Sequence, residues 1–173
     1  AIERNLKYLG ISDHSKSAVY ASGLNPDELL AQCKIIAKLN KDASAKKCLL
    51  LSGIESDILA LGELDYDDSI LSHLDIIIAS VHSRLKQNAE QMTERMRKAA
   101  ANPWTDIVGH PTGRLILGRP PSQFDMEIFL TSCKDNDTAV ELNANPHRLD
   151  LNAEHLALAK EMGVKITINA DAH

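Results

Sequence analysis

The sequence predicts an α/β fold whose parallel sheet is rolled into a barrel, and three observations carry that expectation. Short apolar strand signals alternate with amphipathic helix signals along all 173 residues, the pattern of repeated strand–helix units. Apolar runs stop again and again at a side chain that can bind a metal: Gly-Ile-Ser-Asp13-His14, Ser-Gly-Ile-Glu55, Ala-Ser-Val-His82, Ile-Val-Gly-His110 and Ile-Asn-Ala-Asp171-Ala-His173. In the last strand Lys165, Thr167, Asn169, Asp171 and His173 alternate with Val164, Ile166, Ile168 and Ala170, giving one polar and one apolar face. An open sheet covered by helices on both sides has no place for the polar face. A barrel turns it towards a ligand-lined mouth at the carboxyl ends of the strands.

The elements follow in order. Strands are expected over 6–12, 48–54, 75–81, 106–109, 138–143 and 165–170, all short and mostly apolar. Asn25-Pro26-Asp27-Glu28 starts the first helix with a cap, a Pro at the first helical position and acids at the positive end of the dipole. Leu29, Cys33, Ile36 and Asn40 continue it at helical spacing. A short helix is expected around 67–72. A longer one over 87–101 carries Met92, Met96 and Ala99 on one face and stops before Asn102-Pro103. Ser122 and Asp125 form a capping pair ahead of the stripe Met126, Phe129, Leu130, Cys133. Asn152 caps the last helix, and Gly163 ends it after Leu156, Ala159 and Met162.

Bulk composition narrows the classes of function. Hydrophobic content of 44% and charged content of 25% are those of an ordinary globular domain. Without an 18-residue apolar stretch or a signal peptide, a cytoplasmic protein with no membrane contact is expected. Cys33, Cys48 and Cys133 lack Cys-x-x-Cys spacing and are expected as buried free thiols. A net charge of −5 argues against holding nucleic acid by overall electrostatics, and 3% aromatics leave few platforms for bases. Between His82 and Arg119 seven Lys/Arg face three acids, a local +4 that either docks a phosphate-bearing substrate or coats a solvated helix face.

Histidines and carboxylates without cysteine suit Zn, Mn or Fe in a hydrolytic site. Asp171 and His173, two apart on one strand, point the same way and can bind neighbouring ions. The segments GISDHS (10–15), LSGIESDIL (51–59), LDYDDSIL (64–71), IIASVHSRL (77–85), DIVGHPTGRL (106–115), ELNANPHRLDL (141–151) and INADAH (168–173) resemble, in this order, the polymerase and histidinol phosphatase (PHP) superfamily. Within it the chain looks most like the C-terminal domain of bacterial family X DNA polymerases. The resemblance implies a distorted TIM-like (β/α)7 barrel around two to three divalent ions. Glu55 would bridge two of them, His82 and His110 would complete the second, Asp171 would bind the first, and His14 with His173 would hold the third. Glu55 and Asp171 would be the catalytic carboxylates. The His-x-His strand that opens the family pattern is absent, so residues 1–173 are expected to form one PHP domain lacking its first strand unit and its closing elements.

Supporting roles follow. Asp13, Glu141 and Asn143 are candidates to orient the ligands from behind, Asp13 alternatively being a cap. Arg114 either clamps a substrate phosphate or anchors a loop, with Arg84 and Arg148 as further phosphate candidates. His73, His147 and His155 are read as exposed, Met92 and Met96 as core, and Asp65, Asp67 and Asp68 as a solvated acidic turn. Three functions compete: a phosphoesterase trimming DNA 3′ ends as a polymerase-associated 3′-5′ exonuclease in repair, a histidinol-phosphatase-type enzyme, and a catalytically impaired scaffold inside a larger polymerase. A missing stave would leave an exposed sheet edge inviting self-association.

Overall fold

The structure, a computed structural model, describes residues 1–41 and 47–172. Six strands, β1 (Tyr8–His14), β2 (Leu49–Asp57), β3 (Ile76–Ser80), β4 (Ile107–Val108), β5 (Ala139–Asn143) and β6 (Ile166–Asn169), form one sheet. Each pairs in parallel with the next in chain order. Adding every strand at the same edge by right-handed crossovers puts the connecting helices on one face. The sheet therefore curls into a half-barrel with its other face turned inward.

The helices α1 (Pro26–Leu39), α2 (Asp68–Leu71), α3 (Ala89–Ala100), α4 (Met126–Asp135) and α5 (Ala153–Met162) cover the outer face. Asn25 and Glu28 close a full capping box on α1, and Asn88 with Gln91 closes another on α3. The Asn25 box follows the sequence; the Asn88 box shortens the expected 87–101 helix by placing Gln87 outside it, on the Ala60 carbonyl. At α4 the cap is Asp125 itself, which accepts from Ile128. The expected Ser122 cap lies outside the helix, because α4 starts only at Met126, and the Ser122 N–H donates to the Thr112 carbonyl. Met92, Met96 and Ala99 are buried as expected, with Ile54, Ile77, Val108, Phe129 and Val140 around them. Burying each large apolar side chain contributes roughly 2 kcal/mol.

Three further expectations are corrected. Ile168 is 71% exposed and Ile166 is also exposed, so the apolar face of β6 does not meet a helix. Its polar face does point inward, through Asn169. Asp65 is buried rather than solvated, and its carboxylate accepts from the Ser17 N–H at 2.7 Å. Cys48 and Cys133 are buried free thiols, Cys133 being pushed up to about 12 by burial, while Cys33 is half-buried. Among the described residues no helix is long and apolar enough to cross a membrane.

Candidate metal centre

β1 and β2 run two to three residues further than their apolar runs suggest, because their register continues from Ile11↔Ser52 to His14↔Glu55. This sets His14 at the last position of β1 and Glu55 inside β2. His82 and His110 lie just past β3 and β4. All four turn to the inner face at the same end of the sheet.

Their meeting point is the Glu55 carboxylate. His14 Nδ1 lies 3.2 Å from Glu55 Oε2. On the other oxygen, Oε1, His82 Nε2 sits at 3.2 Å and His110 Nε2 at 3.1 Å. The ligand atoms of His14, Glu55 and His82 all fall within 4.8 Å of one another, the spacing of a metal site. Burial works against the Glu55 charge, but the hydrogen bonds from His110 and His82 outweigh it and hold the carboxyl well below the usual carboxylate range. Glu55 is therefore a permanent anion faced by imidazoles, a donor set that suits a divalent cation of the Zn or Mn kind.

Behind these groups lies a supporting layer. His82 Nδ1 donates to Asp57 Oδ1 at 2.5 Å, which leaves its Nε2 towards Glu55. Burial lowers the His82 pKa, while the Asp57 and Glu55 bonds raise it further, to about 9. Glu141, buried and raised in pKa by that burial, accepts the His110 main-chain N–H at 2.7 Å and the Asn169 amide at 3.0 Å. It thereby holds His110 at φ 26, a backbone conformation that costs free energy in any residue but glycine. Asn143 donates to Asp171 Oδ2 at 2.9 Å, and Arg148 Nε meets the same oxygen at 3.1 Å. His14, His82, His110, Tyr20, Arg148 and Asp171 line one cavity of about 370 Å³.

No family model matches the chain. Individual proteins do. The DNA polymerase/3′-5′ exonuclease PolX of Bacillus subtilis (strain 168) is 44% identical over 172 residues, 99% of this chain and 30% of that protein. A probable phosphatase of Thermoanaerobacter sp. (strain X514) is 35% identical over 134 residues, 72% of this chain and 52% of its own length. One from Clostridium botulinum (strain Hall) is 27% identical over 176 residues, 97% of this chain and 67% of its own. The chain belongs to the PHP superfamily. It spans 30% of the first of these relatives and about half of the second.

Within this PHP centre the ligands expected from sequence separate into groups. His14, Glu55, His82 and His110 come together around one carboxylate. Asp171 shares the cavity but lies outside the grouping with metal spacing among the described residues. His173 lies outside the described residues. Asp13 is not behind His14: strand parity turns it to the helix side, where its carboxylate accepts from Gln32 of α1 at 2.5 Å. Glu141 and Asn143 do sit behind the site, acting on the His110 main chain and the Asp171 carboxylate instead of on an imidazole. Arg114 is an anchor, donating to the carbonyls of Arg148 and Leu149, and it does not line the cavity. Arg148 does, as does the exposed His147. Arg95, counted in the basic stretch, is buried and donates to the carbonyls of Ser83 and Ile58 and to Gln87.

Asp57 escaped the sequence reading. Its signal was present as parity, because Glu55 and Asp57 are two apart on β2 and so share the inner face.

Proposed function

We propose that residues 1–173 form one PHP domain, of the (β/α)7 barrel type, that hydrolyses phosphoester bonds with two to three divalent ions, acting on DNA 3′ ends in the 3′-to-5′ direction. A polymerase domain is its proposed partner. The observation that carries the reading is the buried Glu55 carboxylate met by three imidazoles at 3.1–3.2 Å. The name of the Bacillus subtilis relative, a DNA polymerase and 3′-5′ exonuclease, supports the DNA substrate.

Glu55, His14, His82 and His110 would hold the cations, with Asp171 at the cavity wall and His173 after it. When bound, such ions supply a water nucleophile at neutral pH and positive charge for the phosphoryl oxygens. The chain's own residues do the rest. Asp57 keeps a proton of His82 on Nδ1, so that the proton a cation would displace is the one on Nε2. The low pKa of Glu55 keeps that carboxylate deprotonated throughout the working pH range. Asn143 holds the Asp171 carboxylate towards the cavity, and Glu141 fixes the main chain that aims His110.

A second reading is supported by the relatives named probable phosphatases, of which this chain spans 52% and 67%: a phosphatase for small phosphomonoesters at the same centre. A manganese-supplemented assay separates the two. Nucleotide release from a 3′-recessed oligonucleotide, lost in Glu55→Ala, supports the first. Phosphate release from histidinol phosphate alone supports the second, and turnover of neither substrate removes both.

A further inference from the structure

We propose that the mouth of this cavity is a nucleotide subsite in which Tyr20 stacks on the base and Arg148 receives the phosphate. The inference rests on the phosphoester reading above and deepens it by naming the substrate class.

Tyr20 is the aromatic side chain at the centre. Tyr66 and Phe129 are buried, Trp104 and Phe124 pack against the core, and Tyr8 opens β1 at the opposite end of the sheet. Tyr20 is instead 73% exposed, lines the cavity, and has its ring centroid 6.0 Å from that of His14 and 6.5 Å from that of His82. Leaving a large ring open to water forgoes burial, unless a ligand covers it. Aromatics at 3% are too few to bind nucleic acid along a surface. One platform beside the reacting centre is enough for a single terminal nucleotide, since stacking is tolerant of base identity.

The platform is held firmly. Tyr20 sits on a one-turn 3-10 helix, Val19–Ala21, whose start is anchored by the fully buried Ala18 and by Ser17 on Asp65. Leu24 returns to the His14 carbonyl at 2.9 Å, and Gly23 lets the two segments touch: a Cβ there would lie 1.8 Å from the Ser15 carbonyl oxygen. Preorganisation of this kind lowers the ordering cost of binding.

Arg148 supplies the anion partner. Its Nε is engaged by Asp171, while its Nη1 is buried and has no hydrogen-bond partner. Arg148 lines the cavity, so a phosphate entering it meets a guanidinium whose Nη1 can shift to donate while the pair with Asp171 is kept. Guanidinium donors suit phosphate geometry. Tyr20 and Arg148 line the same cavity, so base and phosphate partners lie together. The cavity, about 370 Å³, falls in the size range of small-ligand clefts.

The test is equilibrium binding by calorimetry, on the full chain with manganese, of dAMP and of 2-deoxyribose 5-phosphate, which lacks the base. Wild type is expected to bind dAMP roughly ten-fold or more tightly than the sugar phosphate. Tyr20→Ala should erase that preference, Tyr20→Phe should keep it, and Arg148→Met should weaken both ligands by the same factor. Equal affinity of wild type for the two, or unchanged dAMP binding in Tyr20→Ala, overturns the subsite. Binding and hydrolysis fail separately. A Tyr20-dependent preference without turnover of any phosphoester would leave the subsite and remove the hydrolytic reading; turnover with no preference for the base would do the reverse.

Discussion

Asp57 decides which nitrogen of His82 faces Glu55, and its removal is the sharpest residue-scale test. Asp57→Asn keeps the size of the side chain and the main-chain bond to Ser15 Oγ, so the fold should persist. Metal affinity should fall about 10- to 100-fold, as for other partners that orient a ligand histidine, read by titration with zinc or manganese. The pH dependence has a definite sign. The His82 pKa moves from an ordinary 6.5 to about 9 in the folded chain, burial opposing the rise and Asp57 then Glu55 driving it. A raised histidine stabilises the fold fully below pH 6.5 and loses that contribution as pH climbs through about 9. A cation must displace the same proton, so its affinity should strengthen across this window, with a shallower slope in Asp57→Asn. The convergence of His14, Glu55, His82 and His110 was legible in the sequence because apolar strands ending in His or Glu are an unusual repeated pattern. Asp57 was not, since it lies within the apolar-flanked strand and only the two-residue period reveals it. Arg114 and Arg148 were not separable either: distance along the chain from His110 says nothing about which guanidinium the loop turns inward.

At the scale of elements, the loop after β1 is the sensitive part. A Cβ at residue 23 meets backbone and not a flexible side chain, so Gly23→Ala should cost about 1–3 kcal/mol. The expected result is a lower thermal midpoint together with weaker dAMP binding; an unchanged midpoint would show that the loop adapts freely. Strand existence and order followed from the alternating signals, while boundaries followed only in part. β1 and β2 extend to His14 and Glu55 because parallel pairing continues through Ser12, Asp13 and His14, where side-chain hydropathy no longer marks a strand. The α4 start moved for a similar reason. Ser122 has cap chemistry, but the chain stays bound to the Thr112 carbonyl there and Asp125 takes the cap position.

For the whole molecule, sequential parallel order explains why chemistry collects at one rim: every strand ends at the same side of the curled sheet. The inward turn of the polar face of β6 was readable from its alternation, whereas the exposure of its apolar face depends on neighbours that a strand pattern cannot report. The two end strands, β1 and β6, each have a single paired neighbour in this sheet and carry Tyr8 at 67% and Ile168 at 71% exposure. Concentration-dependent self-association is expected in size-exclusion chromatography and should weaken in Ile168→Lys; a monomer at every concentration would contradict it. The central claim is that Glu55 and its histidines bind a cation, and anomalous diffraction from a crystal soaked in manganese tests it most directly. The expected map has a peak within bonding reach of Glu55 and His82 that vanishes in Glu55→Ala. No peak between those side chains at full soak would contradict the account.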